Sequence, residues 1–179
     1  MGRAIETGSA LEIRPVQLGD AAGLQLAIDS VARERRYLAT LEGPPLDAVR
    51  AFLEQLSRTG VQVVALDGRA VVGWCDIQVN PREGFRHSGV LGMGVLRLYR
   101  RRGLGRRLLR EALDCAVARG VLRVELEVFA GNTAALALYE SLGFRHEGVK
   151  VDARRLDDRS ENIVCMAWLG GTDSHRVGE

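Results

Sequence analysis

The residues best suited to chemistry stand at the junction between an apolar stretch and a helical pattern. Gly103 and Gly105 leave the backbone open to a ligand, because glycine carries no side chain. The N–H groups at the start of a helix attract anions. Arginines with forked donors surround the glycines: Arg100, Arg101, Arg102 and Arg106. These features predict a cradle for phosphate groups; a solvated turn is the alternative for the same residues.

Two common phosphate-binding motifs do not fit this stretch. A nucleotide P-loop needs Lys and then Ser or Thr after its last glycine, whereas Arg106 and Arg107 follow Gly105. The dinucleotide fingerprint needs a glycine two positions before Gly103, where Arg101 stands. The stretch is therefore a different class of phosphate site or an ordinary turn.

The same stretch resembles the signature of a known superfamily. Arg100-x-x-Gly103-x-Gly105, preceded by Val95 on an apolar strand, is similar to the Arg/Gln-x-x-Gly-x-Gly/Ala motif of the GNAT superfamily. Members of this superfamily are acyl-CoA-dependent N-acetyltransferases. The resemblance implies an enzyme that moves the acetyl group of acetyl-CoA to a primary amine, by direct attack in a ternary complex.

A second block resembles the same superfamily. The segment from Asn132 to Phe144 is similar to its Asn-x-x-Ala…Tyr-x-x-x-Gly-Phe pattern, with Tyr139 in the place of the tyrosine. A strand pattern separates the two blocks, and their order is that of the superfamily. Together they carry more weight than either block alone.

The resemblance implies where acetyl-CoA binds. In the superfamily the cosubstrate lies where two parallel strands splay apart, here Ser88–Leu96 and Arg123–Val128. Backbone groups of the first strand hold the pantetheine arm, and one N–H holds the thioester carbonyl as an oxyanion donor does. The implied binding residues are Gly94, Val95, Leu96, Arg100, Arg101, Arg102, Gly103, Leu104, Gly105, Arg106 and Asn132.

Tyr139 is the predicted catalytic acid. In the superfamily, a tyrosine at this position lies by the cofactor sulfur and gives a proton to the leaving thiolate. A phenol titrates near ~10 and is protonated at neutral pH. Without the motif, a half-buried aromatic on an amphipathic helix is the simpler interpretation. Asn132 is predicted to cap the helix that carries Tyr139.

A general base must take a proton from the amine, and no motif marks it. His87, at the head of the strand that leads to the turn, has a suitable unperturbed pKa near ~6.5. Asp76 and Glu127, on neighbouring strands, are alternatives, and ordered water is a further one.

The amine acceptor is not identified by the sequence, and both small-molecule and peptide amines fit. In the superfamily the first two helices and their loop set this choice. Basic and aromatic residues there suit a carboxylate on the acceptor: Arg33, Arg35, Arg36 and Tyr37. Glu34 and Glu42 suit a polyamine or an aminoglycoside instead.

Periodicity and turn signals predict the order β-α-α-β-β-β-α-β-α-β-β. Hairpin strands beside one βαβ crossover predict a mixed α/β sheet, mostly antiparallel, with helices on both faces. We predict a single domain over residues 1–179, with loose tails at 1–10 and 170–179. The first helix is expected to run to about Arg36, and Asp152–Glu161 to be a charged loop.

Composition excludes several classes of protein. A net charge of +2 over 179 residues and 5% aromatics disfavour a nucleic-acid partner. Cys75, Cys115 and Cys165 lack metal-ligand spacing and predict buried thiols in a reducing cytoplasm, with no metal site. No apolar run reaches the ~18 residues of a membrane span, so we expect no membrane partner.

Two other functions fit the same residues. A non-catalytic acyl-CoA sensor would share the fold, and an arginine-rich nucleic-acid-binding module would use the arginines of the turn. The apolar strand Asn162–Leu169 is expected to form an exposed edge through which a homodimer could assemble.

Overall fold

A computed structural model describes residues 11–170. The strands are β1 (Glu12–Pro15), β2 (Gly60–Asp67), β3 (Ala70–Val79), β4 (Ser88–Val95), β5 (Arg123–Phe129), β6 (Arg145–Leu156) and β7 (Arg159–Leu169). The α-helices are α1 (Ala21–Ala32), α2 (Leu46–Thr59), α3 (Leu104–Ala118) and α4 (Thr133–Glu140). This order confirms the predicted one. Apart from Gly170, the predicted tails lie outside the described residues.

All seven strands form one sheet, in the order β1-β2-β3-β4-β5-β7-β6. Every neighbouring pair is antiparallel except β4 and β5. These two strands share three residue pairs, the last of which joins Val90 to Glu125. Beyond that pair they separate, so the facing backbone groups have no strand partner and are open to a ligand.

Helices cover both faces of this sheet, as predicted. On one face, α1 and α2 pack against β2 and β3 through side chains such as Val64 and Trp74. On the other, α3 packs against Val63 and Cys75, and Tyr139 of α4 joins the same cluster. We call these the α1/α2 face and the α3/α4 face. Because side chains alternate along a strand, residues two apart share a face.

The spacing of apolar residues explains why α3 forms where it does. Leu104, Leu108, Ala112 and Ala116 recur at every fourth position and are all buried. Gly120, with φ of +81°, follows the helix in the left-handed conformation that glycine tolerates. Truncating Leu108 would leave a cavity and cost about 2–5 kcal/mol.

The first helix is shorter than predicted. It ends at Ala32 rather than near Arg36. Asp29 near its end binds the Arg33 side chain at 2.7 Å and the backbone N–H of Gly43 at 2.8 Å. Asp29 thus holds the following segment back against the helix, and residues 33–36 leave the helical path.

The predicted charged loop at Asp152–Glu161 is wrong, because β6 and β7 continue through it as a hairpin. The two-residue turn consists of Asp157 and Asp158, both with positive φ, as a tight hairpin turn requires. The edge prediction for Asn162–Leu169 is also wrong. β7 lies between β5 and β6, and β6 is the edge strand at this end of the sheet.

The three cysteines differ in burial. All three cysteines are free, but only Cys75 is fully buried, while Cys115 and Cys165 are partly exposed. Within residues 11–170, no helix combines the length and apolarity needed to cross a bilayer.

Candidate active site

A cleft of about 1110 Å³ opens where β4 and β5 separate. The carboxyl-terminal half of β4 forms one wall, and the segment from Leu126 to Phe129 of β5 forms the other. The start of α3, one side of α4 and the segment 36–39 after α1 complete the lining. The splayed strands that the resemblance implied therefore enclose a real space.

The start of α3 presents open backbone donors at one end of this cleft. Gly103 has φ of +77°, and no atom of residues 11–170 lies within 4 Å of the position a Cβ would take, its own backbone and its two chain neighbours aside. The first backbone bond of the helix runs from the Arg107 N–H to the Gly103 oxygen, at 3.2 Å. The N–H groups of Leu104, Gly105 and Arg106 thus have no helical acceptor, which suits an anion.

The arginines of the turn are not equivalent. Arg101 and Arg106 line the cleft, and Arg106 also donates to the Ser141 hydroxyl at 2.7 Å. Arg102 is exposed and lies outside the cleft lining. The Leu104 side chain is 1% exposed and belongs to the core, so only its backbone faces the ligand end.

Arg100, predicted to bind phosphate, is committed to other partners. Its guanidinium donates to both carboxylate oxygens of Glu34, at 2.8 Å and 2.5 Å, and its Nε donates to the Val95 oxygen at 2.7 Å. It also lies 4.6 Å from the centre of the Tyr37 ring. The side chain therefore fastens the segment after α1 to the end of β4, and it is not a free cation.

Strand alternation distinguishes the backbone groups of β4. Gly94 and Val95 line the cleft, whereas Leu96 does not. The Leu96 N–H already donates to the Val72 oxygen on β3, at 2.9 Å. Because N–H groups alternate in direction along a strand, those of Met93 and Val95 point toward the open side. The prediction of Leu96 as a backbone donor does not agree with this geometry.

Asn132 and Tyr139 both line the cleft. The Asn132 side chain accepts from the Ala135 N–H at 3.3 Å, which confirms the predicted cap of α4. Tyr139 is 8% exposed, and its ring packs 5.6 Å from that of Phe144. Burial raises the pKa of the Tyr139 hydroxyl further above its ordinary value, so the phenol keeps its proton at neutral pH.

The three predicted bases lie in different places. His87 is exposed at the opposite end of β4, where its backbone oxygen binds the N–H groups of Leu122 and Arg123. It does not line the cleft, so its placement does not support the predicted role. Glu127 lines the cleft and forms an ion pair with Lys150. Asp76 is 6% exposed, and burial raises its pKa to about 7.

The predicted acceptor residues also separate into two groups. Arg36 and Tyr37 line the cleft. Arg33 pairs with Asp29, and Arg35 pairs with Asp157 at the tip of the β6–β7 hairpin, at 2.8 Å.

The hairpin is a part of the site that sequence reasoning missed. Arg154 on β6 lies 4.4 Å above the Phe129 ring, which lines the cleft, and donates to the Arg35 backbone oxygen at 2.7 Å. The hairpin tip thus meets the segment after α1 at the edge of the cleft. The adjacent Asp157 and Asp158 were the available signal for this hairpin, because aspartate tolerates the positive φ of a two-residue turn.

Comparison with known proteins agrees with the geometry. The model of the acetyltransferase (GNAT) family matches residues 28–144. A ribosomal protein bS18-alanine N-acetyltransferase of Escherichia coli K12 is 45% identical over 69 residues, which are 38% of this chain and 47% of that protein. The chain thus spans about half the length of that relative.

Two further proteins cover more of the chain. The L-amino acid N-acetyltransferase AaaT of Escherichia coli K12 is 35% identical over 121 residues, 65% of this chain and 74% of that protein. The structure of yncA, a putative acetyltransferase of Salmonella typhimurium solved with its cofactor acetyl-CoA, has a TM-score of 0.85 at 20% identity and covers 96% of this chain and 99% of its own. From the family match and the 35% identity, we conclude that the chain belongs to the GNAT family of acetyltransferases.

Proposed function

We propose that this protein transfers the acetyl group of acetyl-CoA to a primary amine. The separation of β4 from β5 beyond Val90 and Glu125 carries the proposal. It leaves a cleft with open helix N–H groups at one end and a buried tyrosine in its wall. Acetyl-CoA as a donor needs both an anion cradle for the phosphates of its nucleotide end and a proton donor for the sulfur of its thioester.

Donor binding follows from the open backbone. The N–H groups of Leu104, Gly105 and Arg106 and the charges of Arg101 and Arg106 suit the pyrophosphate. The pantetheine arm runs along the unpaired side of β4. There the N–H of Met93 or Val95 can hold the thioester oxygen, which becomes an oxyanion when the amine attacks.

Chemistry then divides between the two faces of the sheet. The amine nitrogen attacks the thioester carbon, and the C–S bond breaks as the adduct collapses. Tyr139, on the α3/α4 face, gives its proton to the departing thiolate. Glu127 follows Leu126, a core residue of the α3/α4 face, so it lies on the α1/α2 face. We assign Glu127 the role of taking a proton from the amine, which its position in the cleft lining supports.

The acceptor we propose carries an α-amino group. One relative is described as acting on an alanine of a ribosomal protein and another on L-amino acids. Arg36 and Tyr37, which line the cleft, suit the carboxylate or the peptide backbone next to such an amine. Acetyl-CoA with alanine-initiated peptides and with single L-amino acids is the direct assay, with free thiol as the readout.

A homodimer, if it forms, must use a different edge from the one predicted. β6 is one of the two edge strands of the sheet that residues 11–170 form, and Val149 and Val151 on it are exposed at 54% and 74%. We propose pairing through β6, which light scattering of the purified protein tests directly. A monomer mass at working concentration would exclude it.

A further inference from the structure

A buried carboxylate shares a face and a row of the sheet with Glu127. Asp76 on β3 is opposite Gln62 on β2 and Gly92 on β4. If the pairing of β4 with β5 continued past Val90 and Glu125, Gly92 would stand opposite Glu127. Asp76 and Glu127 therefore face the same side of the sheet, on either side of the opening.

The Asp76 side chain leans toward the cleft. A Cβ at Gly92 would lie 3.2 Å from one Asp76 carboxylate oxygen and 3.3 Å from the other. Both amide atoms of buried Gln62, on the opposite side of Asp76, have no hydrogen-bond partner among the described residues. Gly92 itself lines the cleft. Asp76 itself lies behind the lining residues, and because Gly92 has no side chain, the carboxylate is covered at this point only by the Gly92 backbone.

Acetylation of an ammonium removes two protons from one nitrogen. One must leave before the attack, because an ammonium has no free electron pair. The other leaves as the tetrahedral adduct becomes an amide. A second proton acceptor beside Glu127 therefore has a defined use.

We propose that Asp76 accepts one of these two protons, across the space left open by Gly92, and that Glu127 accepts the other. This inference rests on the proposed function. The N–H bond breaks, its electron pair stays on nitrogen, and an Asp76 carboxylate oxygen becomes a carboxylic acid. Asp76 touches the acceptor nitrogen directly or through one water.

The surroundings of Asp76 suit a proton acceptor near neutral pH. Burial raises its pKa to about 7, and a hydrogen bond from Gln78 opposes this only in part. β2 and β4 face it with the uncharged residues Gln62 and Gly92, and across the opening β5 presents Glu127, already paired with Lys150.

The helices on this face bring no free charge to Asp76. The single charged residue of α1, Asp29, binds Arg33 and the Gly43 N–H. The charged residues of α2 are exposed: Asp47, Arg50, Glu54 and Arg58.

Steady-state kinetics with acetyl-CoA and a short peptide that begins with alanine test the role. We expect wild-type kcat/KM, which reports the free enzyme, to rise with pH around a midpoint near 7. Asp76→Asn should lower kcat by about 10²-fold at neutral pH and remove that midpoint. Gly92→Ala, which blocks the opening, should act in the same direction. Gly148→Ala, at a strand glycine with open space, is the matched control. A profile of unchanged shape in Asp76→Asn overturns the proposal.

A measurement that needs no turnover separates this inference from the proposed function. In protein labelled with carboxyl-¹³C aspartate, the Asp76 signal is the one absent from Asp76→Asn. Its titration midpoint should move to lower pH when coenzyme A and the alanine peptide are added, because a bound ammonium favours the carboxylate. If no amine is acetylated, the proposed function fails. The titration still shows in that case whether the amino group of the bound peptide lies near the Asp76 carboxylate. A midpoint unmoved by the peptide overturns the inference.

Discussion

Arg100 and Glu34, 66 positions apart in the chain, form an ion pair with two hydrogen bonds, at 2.8 Å and 2.5 Å. Both side chains are about three-quarters buried, at 24% and 26% exposure. The pair joins the segment after α1 to the turn before α3, and both of these segments contribute residues to the cleft lining. Under the proposed function, the first arginine of the phosphate motif would therefore connect the acceptor end of the cleft to the donor end.

Removing the charge of Glu34 should destabilise the fold. Glu34→Gln leaves the Arg100 guanidinium without its counter-ion in a partly buried position, and we expect a loss of about 1–2 kcal/mol in the free energy of unfolding. Denaturant titration measures it. Asp47→Asn, which disrupts the exposed pair with Arg50 at 3.3 Å, is the control and should change little. Equal effects in the two variants would mean that the Arg100 pair is no more than a surface contact.

Arg106 should contribute to the affinity for acetyl-CoA. Arg106→Gln removes a charge that lines the cleft at the start of α3, and we expect the Kd of acetyl-CoA to rise about tenfold, or about 1.4 kcal/mol. Arg110→Gln, one turn further along the same helix and exposed, is the matched control. Calorimetry on both variants decides the point. An unchanged Kd in folded Arg106→Gln would place the pyrophosphate elsewhere.

The Tyr139 hydroxyl should matter for the rate and little for binding. Tyr139→Phe keeps the ring and its packing on Phe144 but removes the acid, so we expect kcat to fall by about 10²-fold. The KM for acetyl-CoA should stay within a few-fold, and the thermal midpoint should move little. Steady-state kinetics and a melting curve test this together. Near-normal kcat with lower stability would make Tyr139 a structural residue.

Asp76 should make the folded state less stable as pH rises. Its pKa is raised from 3.8 to about 7, so the folded state holds a proton that the unfolded state releases. Stability therefore falls between about pH 4 and 7 and levels off above, by at most roughly 4 kcal/mol.

Asp76→Asn should remove this loss. The free energy of unfolding of the variant, relative to that of wild type, should therefore be higher at pH 8 than at pH 4.5. Denaturant titration at the two pH values measures the difference. The exposed Asp114→Asn serves as the control. A gain no larger than that of the control would show that Asp76 is ionised at neutral pH.

Local motifs allowed much of the site to be predicted from the sequence. Gly103 adopts a positive φ before α3, and Asn132 caps α4. Both roles depend on the adjacent backbone, so a short stretch of sequence is enough to identify them. The order of helices and strands followed from periodicity for the same reason. The β6–β7 hairpin was missed because Asp157 and Asp158 are as typical of a loop as of a two-residue turn.

Other features depend on contacts that no local pattern encodes. Arg100 is paired with Glu34 only because α1 ends at Ala32 and the chain turns back toward β4. Glu127 lines the cleft and His87 does not, because β4 and β5 separate at one end and stay paired at the other. Strand separation is a property of the whole sheet, so the sequence alone did not distinguish these candidates.

The central claim is that the cleft between β4 and β5 transfers acetyl groups to amines. The most direct test incubates wild-type protein with acetyl-CoA and either an alanine-initiated peptide or L-amino acids, and follows coenzyme A thiol together with the mass of the acceptor. We predict thiol release that requires the amine and matches an acceptor gain of one acetyl group. Tight binding of acetyl-CoA without amine-dependent thiol release across the panel would contradict the account and favour an acyl-CoA sensor.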